Sequence, residues 1–298
     1  MEKNFLGIIF VILSAICFSA KAILVKLFYL EKPDPIEALF LRMAFALPFF
    51  LGIAIYEFYK TDEKNSLDKK EIFKILFLGF FGYHLSSLLD FLGLEYITAG
   101  LERLIIYSYP TIVLLLDLFI NRKYPQKRQI ISFILTYIGI GVIFFDSSLT
   151  ENKNLYYGSF LVFLCTISYS WYVFSSEKLV KKIGTRKFTS YVLIVSCISV
   201  MIHYFVKTNF TIPNYSNRSL IIGLLMGIIS TVIPTFLFAA GVKRIGSTKA
   251  ALLGTVGPIS TIILSNSLLD EPITIFEILG SILIIVGVIL ISRKKNLT

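Results

Sequence analysis

Ten long apolar stretches set the limits on what this chain can fold into. An apolar run of about 18 or more residues can cross ~30 Å of hydrocarbon as a helix. Of the residues, 56% are hydrophobic, and the mean hydropathy is +0.78. The sequence therefore predicts an all-α polytopic membrane protein with ten transmembrane helices. The predicted spans are 5–30, 36–58, 72–94, 98–120, 129–146, 155–176, 188–206, 219–240, 247–269 and 274–292.

The basic residues predict how these helices are oriented. Of the 29 Lys and Arg, 21 lie in every second gap, the two termini included, and the opposite gaps hold only Lys32, Lys153, Lys207 and Arg218. Because cytoplasmic loops carry the Lys and Arg excess, we expect a multi-pass protein of the cell (inner) membrane with both termini cytoplasmic. Topology and contact with the lipid bilayer then explain the net charge of +10, which predicts no nucleic-acid partner.

Two alignments of the chain with itself predict an internal repeat. The N-terminal stretch matches residues from 156 onward at an offset of 151, and residues 93–139 match residues 241–287 at an offset of 148. Matches between Gly or Pro mean more than matches between Ile and Leu, because each marks a need of the backbone. The matched pairs are Gly7 with Gly158, Gly93 with Gly241, Pro110 with Pro258, and Gly139 with Gly287.

The repeat divides the chain into two copies of five helices. We predict a first repeat at 1–146, a linker at 147–154, a second repeat at 155–292 and a cytoplasmic tail at 293–298. Because five is an odd number, the second copy must enter the membrane in the opposite sense. Inverted repeats are typical of transporters, whose solute site lies near the midplane between the repeats.

Several runs of residues along the chain are similar to those of a known family. These runs are Phe18-Ser19-Ala20-Lys21-Ala22-Ile23, Leu41-Arg42-Met43 with Pro48, Leu101-Glu102-Arg103-Leu104-Ile105, Tyr109-Pro110-Thr111, Gly257-Pro258-Ile259-Ser260, and Leu268-Leu269-Asp270-Glu271-Pro272-Ile273-Thr274.

Together these runs resemble the EamA class of ten-helix transporters in the drug/metabolite transporter superfamily. The resemblance implies the ten-helix fold and transport of a small metabolite such as an amino acid, a sugar or a nucleotide derivative, and it favours export. One departure is plain, because the fourth helix ends in Ile120-Asn121-Arg122-Lys123 where the family has Leu-Gly-Glu. An acidic residue is therefore present only at the corresponding position of the second copy, as Glu271.

Charged residues inside the apolar stretches are the first candidates for a site. A charge at mid-bilayer costs about 2.5–3.5 kcal/mol on insertion scales. Six such residues lie in the predicted outer half, all in the first repeat, and cations outnumber carboxylates among them. They are Lys21, Lys26, Arg42, Asp90, Glu102 and Arg103. We expect the two deeper cations, Lys21 and Arg42, to meet an anionic group of a solute, whereas the other cations and Glu102 can snorkel or pair with each other.

Polar and aromatic side chains extend this hypothesis. On the third helix, Tyr83, Ser87 and Asp90 lie near one face, and on the fourth Tyr107 shares a face with Pro110. The second repeat contributes uncharged residues that could also be ordinary helix-packing groups. The candidate substrate-binding residues are Lys21, Arg42, Tyr83, Ser87, Asp90, Tyr107, Trp171 and Tyr172. The candidate coupling or gating residues are His84, Asp117, Pro110 and Pro258.

His84 and Asp90 on one helix could relay a coupling proton, or they could serve packing and charge neutralisation alone. Asp117 near the inner end of the fourth helix is expected to be structural, within reach of Arg122, or at most part of a gate. Neither the histidines nor the three cysteines have metal-ligand spacing, so no metal and no cofactor is expected.

Three functions compete at this point. A secondary carrier for a small organic solute fits the inverted repeat best. A membrane-embedded enzyme is disfavoured because the sequence holds no known catalytic motif, so we expect no enzymatic activity. An accessory protein without transport activity is the remaining alternative. The sequence leaves open the identity of the solute, the direction of transport, the coupling ion and the oligomeric state.

Overall fold

The computed structural model describes residues 2–31, 34–60, 67–145, 153–211 and 213–292. Every regular element in these residues is helical, and there is one helix or broken helix for each predicted span. The ten helices are α1 (Glu2–Glu31), α2 (Pro35–Lys60), α3 (Lys69–Leu94), α4 (Ala99–Ile120), α5 (Lys127–Ile143), α6 (Leu155–Ile183), α7 (Thr185–Lys207), α8 (Asn217–Ile245), α9 (Ser247–Gly254 and Val256–Leu269) and α10 (Ile275–Ser292).

These helices form because lipid offers no hydrogen bonds, so an apolar segment must satisfy its backbone groups internally. Eight of them are long and apolar enough to cross a membrane. The apolar helix α10 is shorter, and α5 has 17 residues. The prediction of an all-α polytopic membrane protein is confirmed. Of the predicted linker only 153 and 154 fall within the described residues, and the predicted tail at 293–298 lies outside them.

The helix bounds differ most from the prediction at the C-terminal ends of two helices. Helix α6 continues to Ile183 and α8 to Ile245, several residues beyond the apolar stretches. Both extensions carry Lys or Arg in their last turn. A helix end read from apolar residues alone therefore falls before them. Each helix then stops at a glycine with positive φ, Gly184 at 82° and Gly246 at 83°. A glycine adopts this conformation without steric cost, so the next helix begins without a loop.

Four helices are irregular, and sequence periodicity did not predict this. Helices α3 and α8 contain wide π-helical turns at Leu78–Leu85 and Ile228–Val232. Helix α4 is interrupted between Ile106 and Tyr109, just before Pro110, and α9 is interrupted at Thr255, shortly before Pro258. A proline lacks the N–H that a continuous helix needs. π-Bulges and broken helices in membrane proteins occur frequently at functional sites.

The irregular segments occur in pairs, and so do the contacts between helices. Helix α1 packs on α8 and α9, and α6 packs in the same way on α3 and α4. Helix α2 packs on α7, and α5 packs on α10. Exchanging the first five helices with the last five therefore leaves these main contacts unchanged.

Close glycine contacts repeat this exchange at the level of single residues. A Cβ on Gly93 would lie 2.4 Å from Val162 Cγ2, and one on Gly241 would lie 2.5 Å from Val11 Cγ2. Val162 and Val11 are themselves separated by the offset of 151. Small residues that align in the sequence are thus places where the two halves approach closely.

The helices that join the halves run antiparallel. Phe40 near the start of α2 stacks on Tyr204 near the end of α7, with ring centroids 3.9 Å apart. Gly139 in α5 lies against Gly280 in α10, and Gly287 lies against Thr136. The largest apolar cluster of buried residues is built from α1, α2, α3, α7 and α8. The centre of the molecule is therefore an interface between the two five-helix halves.

Candidate functional site

A buried ion-paired triad lies where α1, α3 and α4 meet. The Lys21 ammonium on α1 donates to Asp90 Oδ2 on α3 and, at 2.8 Å, to Glu102 Oε1 on α4. Asp90 is 2% exposed and Glu102 is 0% exposed. Removing such charges from water costs several kcal/mol per ion, on the order of the attraction between them. The pairing therefore explains how Lys21 and both carboxylates are tolerated inside an apolar bundle.

Arg42 extends the charged cluster on the side of α2. Its Nε donates to Thr231 Oγ1 on α8 at 2.8 Å, and its Nη1 donates to Ser87 Oγ on α3 at 3.4 Å. The guanidinium also lies 5.4 Å from the centre of the Phe91 ring. Thr231 falls within the π-helical turn of α8, so this irregular segment supplies a hydrogen-bond acceptor for Arg42. Arg42 thus ties the first five helices to the last five.

Arg103 lies beside Glu102, on the other side of the cluster. Its Nε is buried and has no hydrogen-bond partner among the residues that the structure describes. A Cβ on Gly257 of α9 would lie 2.9 Å from Arg103 Nη2, so the missing side chain at Gly257 makes room for the guanidinium. Arg103 therefore also lies at the interface between the halves.

Five charges from four helices interact electrostatically in an order of alternating sign, and they can be treated as one row. The row consists of Arg42, Asp90, Lys21, Glu102 and Arg103. Three cations and two carboxylates leave one positive charge in excess. We call this set the central charge row.

Tyrosines of α3, α4 and α6 flank the row. Tyr83 contacts Tyr172 edge to face at 5.0 Å between ring centroids, and Tyr169 lies 5.5 Å from Tyr109 and 5.8 Å from Tyr172. Tyr172 is buried, whereas Tyr83, Tyr109 and Tyr169 keep part of their surface accessible. Aromatic faces with hydroxyl groups can hold an apolar part of a solute and orient its polar end.

The break in α4 keeps its freed backbone groups satisfied. Ser108 Oγ donates to the carbonyl of Ile105 at 2.7 Å, and Thr111 Oγ1 donates to the carbonyl of Ser108 at 2.7 Å. Buried Tyr107 closes the first segment of the helix, and Pro110 lies in the first turn of the second. In α9 the buried Pro258 follows the equivalent break. Both predicted prolines therefore lie at helix interruptions beside the interface.

Lys26 has its own partner outside the row. The Glu271 carboxylate, in the turn between α9 and α10, acts on Lys26 electrostatically and accepts a hydrogen bond from the N–H of Ala99 at 3.1 Å. Burial raises the pKa of the Glu271 carboxyl, although Lys26 and the N–H groups at the start of α4 act against it. Lys26 therefore does not add to the charge excess of the row.

The structure brings most of the predicted substrate-binding residues together. Those around the central charge row are Lys21, Arg42, Tyr83, Ser87, Asp90, Tyr107 and Tyr172. Trp171 is the one that it places elsewhere, because its side chain is 42% exposed, next to buried Tyr172 on the helix.

Two predicted coupling residues also lie away from the row. His84 Nε2 is 3.2 Å from His203 Nδ1 of α7, and its Nδ1 meets Ser199. The ring thus faces α7 and makes no hydrogen bond to Asp90. Asp117 accepts hydrogen bonds from Lys123 Nζ at 3.0 and 3.1 Å, where the sequence had suggested Arg122. The described residues contain no group of three or more His, Cys, Asp or Glu that could hold a metal.

Four residues of the cluster were not among the predicted substrate-binding or coupling residues: Glu102, Arg103, Tyr109 and Tyr169. The sequence showed that Glu102 and Arg103 lie inside an apolar stretch, and this was the available signal. Their distance from a helix end suggested that they reach the interface. Only the three-dimensional structure shows that Glu102 is buried and that it pairs with Lys21 of α1.

These features define a class of protein: a polytopic membrane protein of two similar five-helix halves, with buried charges between them. The sequence model of the EamA-like transporter family matches residues 5–145 and again 156–293. The chain therefore belongs to the EamA-like transporter family, as the resemblance predicted.

Individual relatives agree with this assignment. The chain is 26% identical to the uncharacterised transporter YcbK of Bacillus subtilis over 92% of this chain and 88% of the relative. It is 25% identical to an uncharacterised transporter of Archaeoglobus fulgidus over 88% of this chain and 90% of the relative. A solved crystal structure with 14% sequence identity matches with a TM-score of 0.63 and covers 95% of both chains, which supports the fold alone.

Proposed function

We propose that this protein is a secondary carrier that moves a small organic solute with an anionic group by alternating access. The observation that carries the proposal is the Arg103 guanidinium, whose buried Nε lacks a partner among the described residues. An unmade hydrogen bond of a buried donor costs about 1–3 kcal/mol, more for a charged group. A carboxylate or phosphate oxygen of a solute would satisfy this donor and neutralise the excess charge of the row.

The position of Arg103 supports a carrier rather than a fixed binding protein. Arg103 belongs to α4 of the first half, and its guanidinium lies against Gly257 of the second half. Movement of one half against the other would therefore change its surroundings. Helices α2 and α7 run antiparallel, and so do α5 and α10, which supports two copies inserted in opposite senses. In such carriers, rocking of one repeat against the other exposes the central site to each side in turn.

The tyrosines suggest the rest of the solute. Tyr109 and Tyr169 interact electrostatically with Arg103, and their partly accessible rings can pack on an apolar or aromatic portion of a solute. The solute that fits is therefore a small amphipathic molecule with an anionic group, such as an amino acid or an organic acid. Its direction of movement follows the prevailing gradient. The Lys and Arg bias of the loops supports insertion in the cell membrane with cytoplasmic termini.

Flux into proteoliposomes that contain this protein alone tests the proposal. A panel would pair each carboxylate solute with its uncharged amide, so that only the anionic group differs. We expect at least one carboxylate to exchange across the membrane and its amide to exchange at least tenfold more slowly. Arg103→Gln should abolish the difference, whereas Arg218→Gln, at an exposed arginine near the start of α8, should preserve it. The absence of flux for every solute, or equal flux of acid and amide, would contradict the proposal.

A further inference from the structure

Asp90 and Glu102 are arranged as a pair around a single cation. Each carboxylate gives one oxygen to Lys21. The other two oxygens, Asp90 Oδ1 and Glu102 Oε2, are buried and have no hydrogen-bond donor within the described parts of the chain. Because a single ammonium contacts both of them, the two carboxyl groups lie side by side. A buried charged oxygen without a donor is costly, so these two oxygens need a hydrogen-bond donor.

One proton would complete it. A proton on either carboxyl group makes that group a donor and its neighbour an acceptor, which satisfies both orphan oxygens at once. It also removes the repulsion between two like charges that share one site. Proton-sharing carboxyl pairs of this kind are known from aspartic proteases.

The other groups that face the pair do not replace this proton. From α1 come Lys21 and Tyr29, from α2 Arg42, from α4 Arg103 and from α6 Cys165. Neither arginine lies within 4 Å of a carboxylate oxygen of Asp90 or Glu102 among the described residues. Lys21 is thus the cation that contacts both carboxylates directly, and one ammonium balances one of the two negative charges.

We propose that Asp90 and Glu102 bind one shared proton and that this proton crosses the membrane together with the anionic solute. The second part rests on the proposed function. A solute anion at Arg103 cancels the positive charge that favours ionised Glu102, and so it strengthens proton binding by the pair. Coupling between binding sites is reciprocal, so the proton in turn favours the anion. The proton leaves from the carboxyl O–H to water when the site opens on the other side.

Infrared spectroscopy tests the shared proton without any solute. The purified protein in liposomes is titrated, and the C=O stretch of a protonated carboxyl group is followed in H₂O and D₂O. We expect one such band near neutral pH that disappears at alkaline pH. Glu102→Gln and Asp90→Asn should each remove the whole band, because either substitution leaves one carboxylate alone with Lys21. The control Glu37→Gln, at a buried carboxyl of α2, should leave it unchanged.

The sharing itself has a distinct signature. If burial alone protonated one carboxyl, only the substitution of that residue would remove the band, and this result would overturn the proposal. A wild-type protein with no protonated carboxyl band would overturn it too. If a variant does not fold, aspartate labelled with ¹³C at its carboxyl carbon in the wild type answers the same question. A shared proton shifts part of the band, and an unshifted band contradicts sharing.

Coupling is then measured with a carboxylate that the flux panel identifies. We expect an inward proton gradient to accelerate uptake at least tenfold in the wild type, whereas Glu102→Gln should show no acceleration over its own rate without a gradient. Gradient-independent uptake in the wild type would overturn the coupling while leaving the carrier function intact. If the wild-type protein showed no solute exchange at all, the proposed function would be contradicted instead.

Discussion

The two five-helix halves share a backbone plan but differ in the chemistry of their buried residues. Gly93 and Gly241 make equivalent contacts, and the π-helical turns of α3 and α8 occupy equivalent places. The charges of the central row, in contrast, all belong to the first half. At the offsets of 151 and 148, four of them have as counterparts in the second half Tyr172 for Lys21, Phe238 for Asp90, Ala250 for Glu102 and Ala251 for Arg103.

This difference teaches that packing and function are constrained separately in a duplicated fold. Close helix contacts depend on small residues in both halves, because each half must fit against the other. A single solute between the halves needs only one set of polar groups. One half can therefore carry the charges while the other supplies room, as Gly257 does for Arg103, and uncharged partners, as Thr231 does for Arg42.

The largest difference between the halves is expected at Lys21 and its counterpart Tyr172. Lys21→Met leaves Asp90 and Glu102 buried without their cation, and breaking a buried ion pair costs about 3–5 kcal/mol. Tyr172→Phe removes one hydroxyl group, and we expect a cost of about 1 kcal/mol. Thermal unfolding in detergent measures both. Equal losses would show that the triad contributes nothing special to the first half.

The shared packing is expected to respond equally in both halves. Gly93→Ala and Gly241→Ala each push a methyl group into a valine at 2.4 and 2.5 Å, and we expect each to cost about 1–3 kcal/mol through overpacking. Gly141→Ala is the control, because nothing lies within 4 Å of its Cβ position. The comparison of unfolding midpoints would break the symmetry argument if one substitution were neutral and the other severe.

A smaller test concerns two equivalent serines. Ser19 Oγ donates to the carbonyl of Gly257 at 2.8 Å, and Ser170 Oγ donates to the carbonyl of Tyr109 at 3.2 Å. Each serine also donates to the carbonyl four residues earlier in its own helix. Interhelical hydrogen bonds in membranes average about 0.6 kcal/mol, so Ser19→Ala and Ser170→Ala should each lower stability by about that amount. We expect the double variant to show the sum, measured by the same unfolding assay, since the two sites share no partner; a clear departure from additivity would contradict this.

The smallest effect is expected at the surface pair Lys207–Asp34, which links the start of α2 to the end of α7 at 2.7 Å. Burial opposes ionisation of Asp34, but hydrogen bonds from Lys207 and from backbone N–H groups outweigh it and lower its pKa. A lowered pKa stabilises the fold above the ordinary Asp range, and the contribution is lost as the pH falls through the folded value. Exposed pairs contribute about 0.2–1 kcal/mol.

Unfolding midpoints of the wild type and Lys207→Ala therefore should differ slightly at pH 7 and converge under acidic conditions. A difference that grows on acidification would show that the sign of this linkage is wrong.

Much of the fold follows from sequence by itself, and the reason is the solvent. Lipid forces each long apolar run into a helix, so helix number and approximate position could be predicted. Aligned Gly and Pro residues, such as Gly93 with Gly241, also identified the duplication. The π-helical turns of α3 and α8 could not be predicted, because they depend on packing between helices and not on the periodicity of either.

The candidate site was predictable in part. Lys21, Arg42 and Asp90 were found because a charge in an apolar stretch is visible without a structure. Glu102 and Arg103 were equally visible, but their place near a helix end suggested contact with water. Trp171 was expected at the site, but the structure places it elsewhere. Its position along the helix predicts its depth in the membrane, but not whether its ring faces the interior or the outside of the bundle.

The sequence alone determined the membrane class, the helices and the repeat, because these follow from hydrophobicity and from local backbone needs along the chain. The tertiary structure alone decided which charges meet. Lys21, Asp90 and Glu102 lie on three helices and are separated by up to 81 positions, and only the packing of those helices brings one ammonium to two carboxylates. Whether a buried charge destabilises the fold or forms part of a site depends on which opposite charge it meets. That pairing cannot be read from the amino-acid sequence.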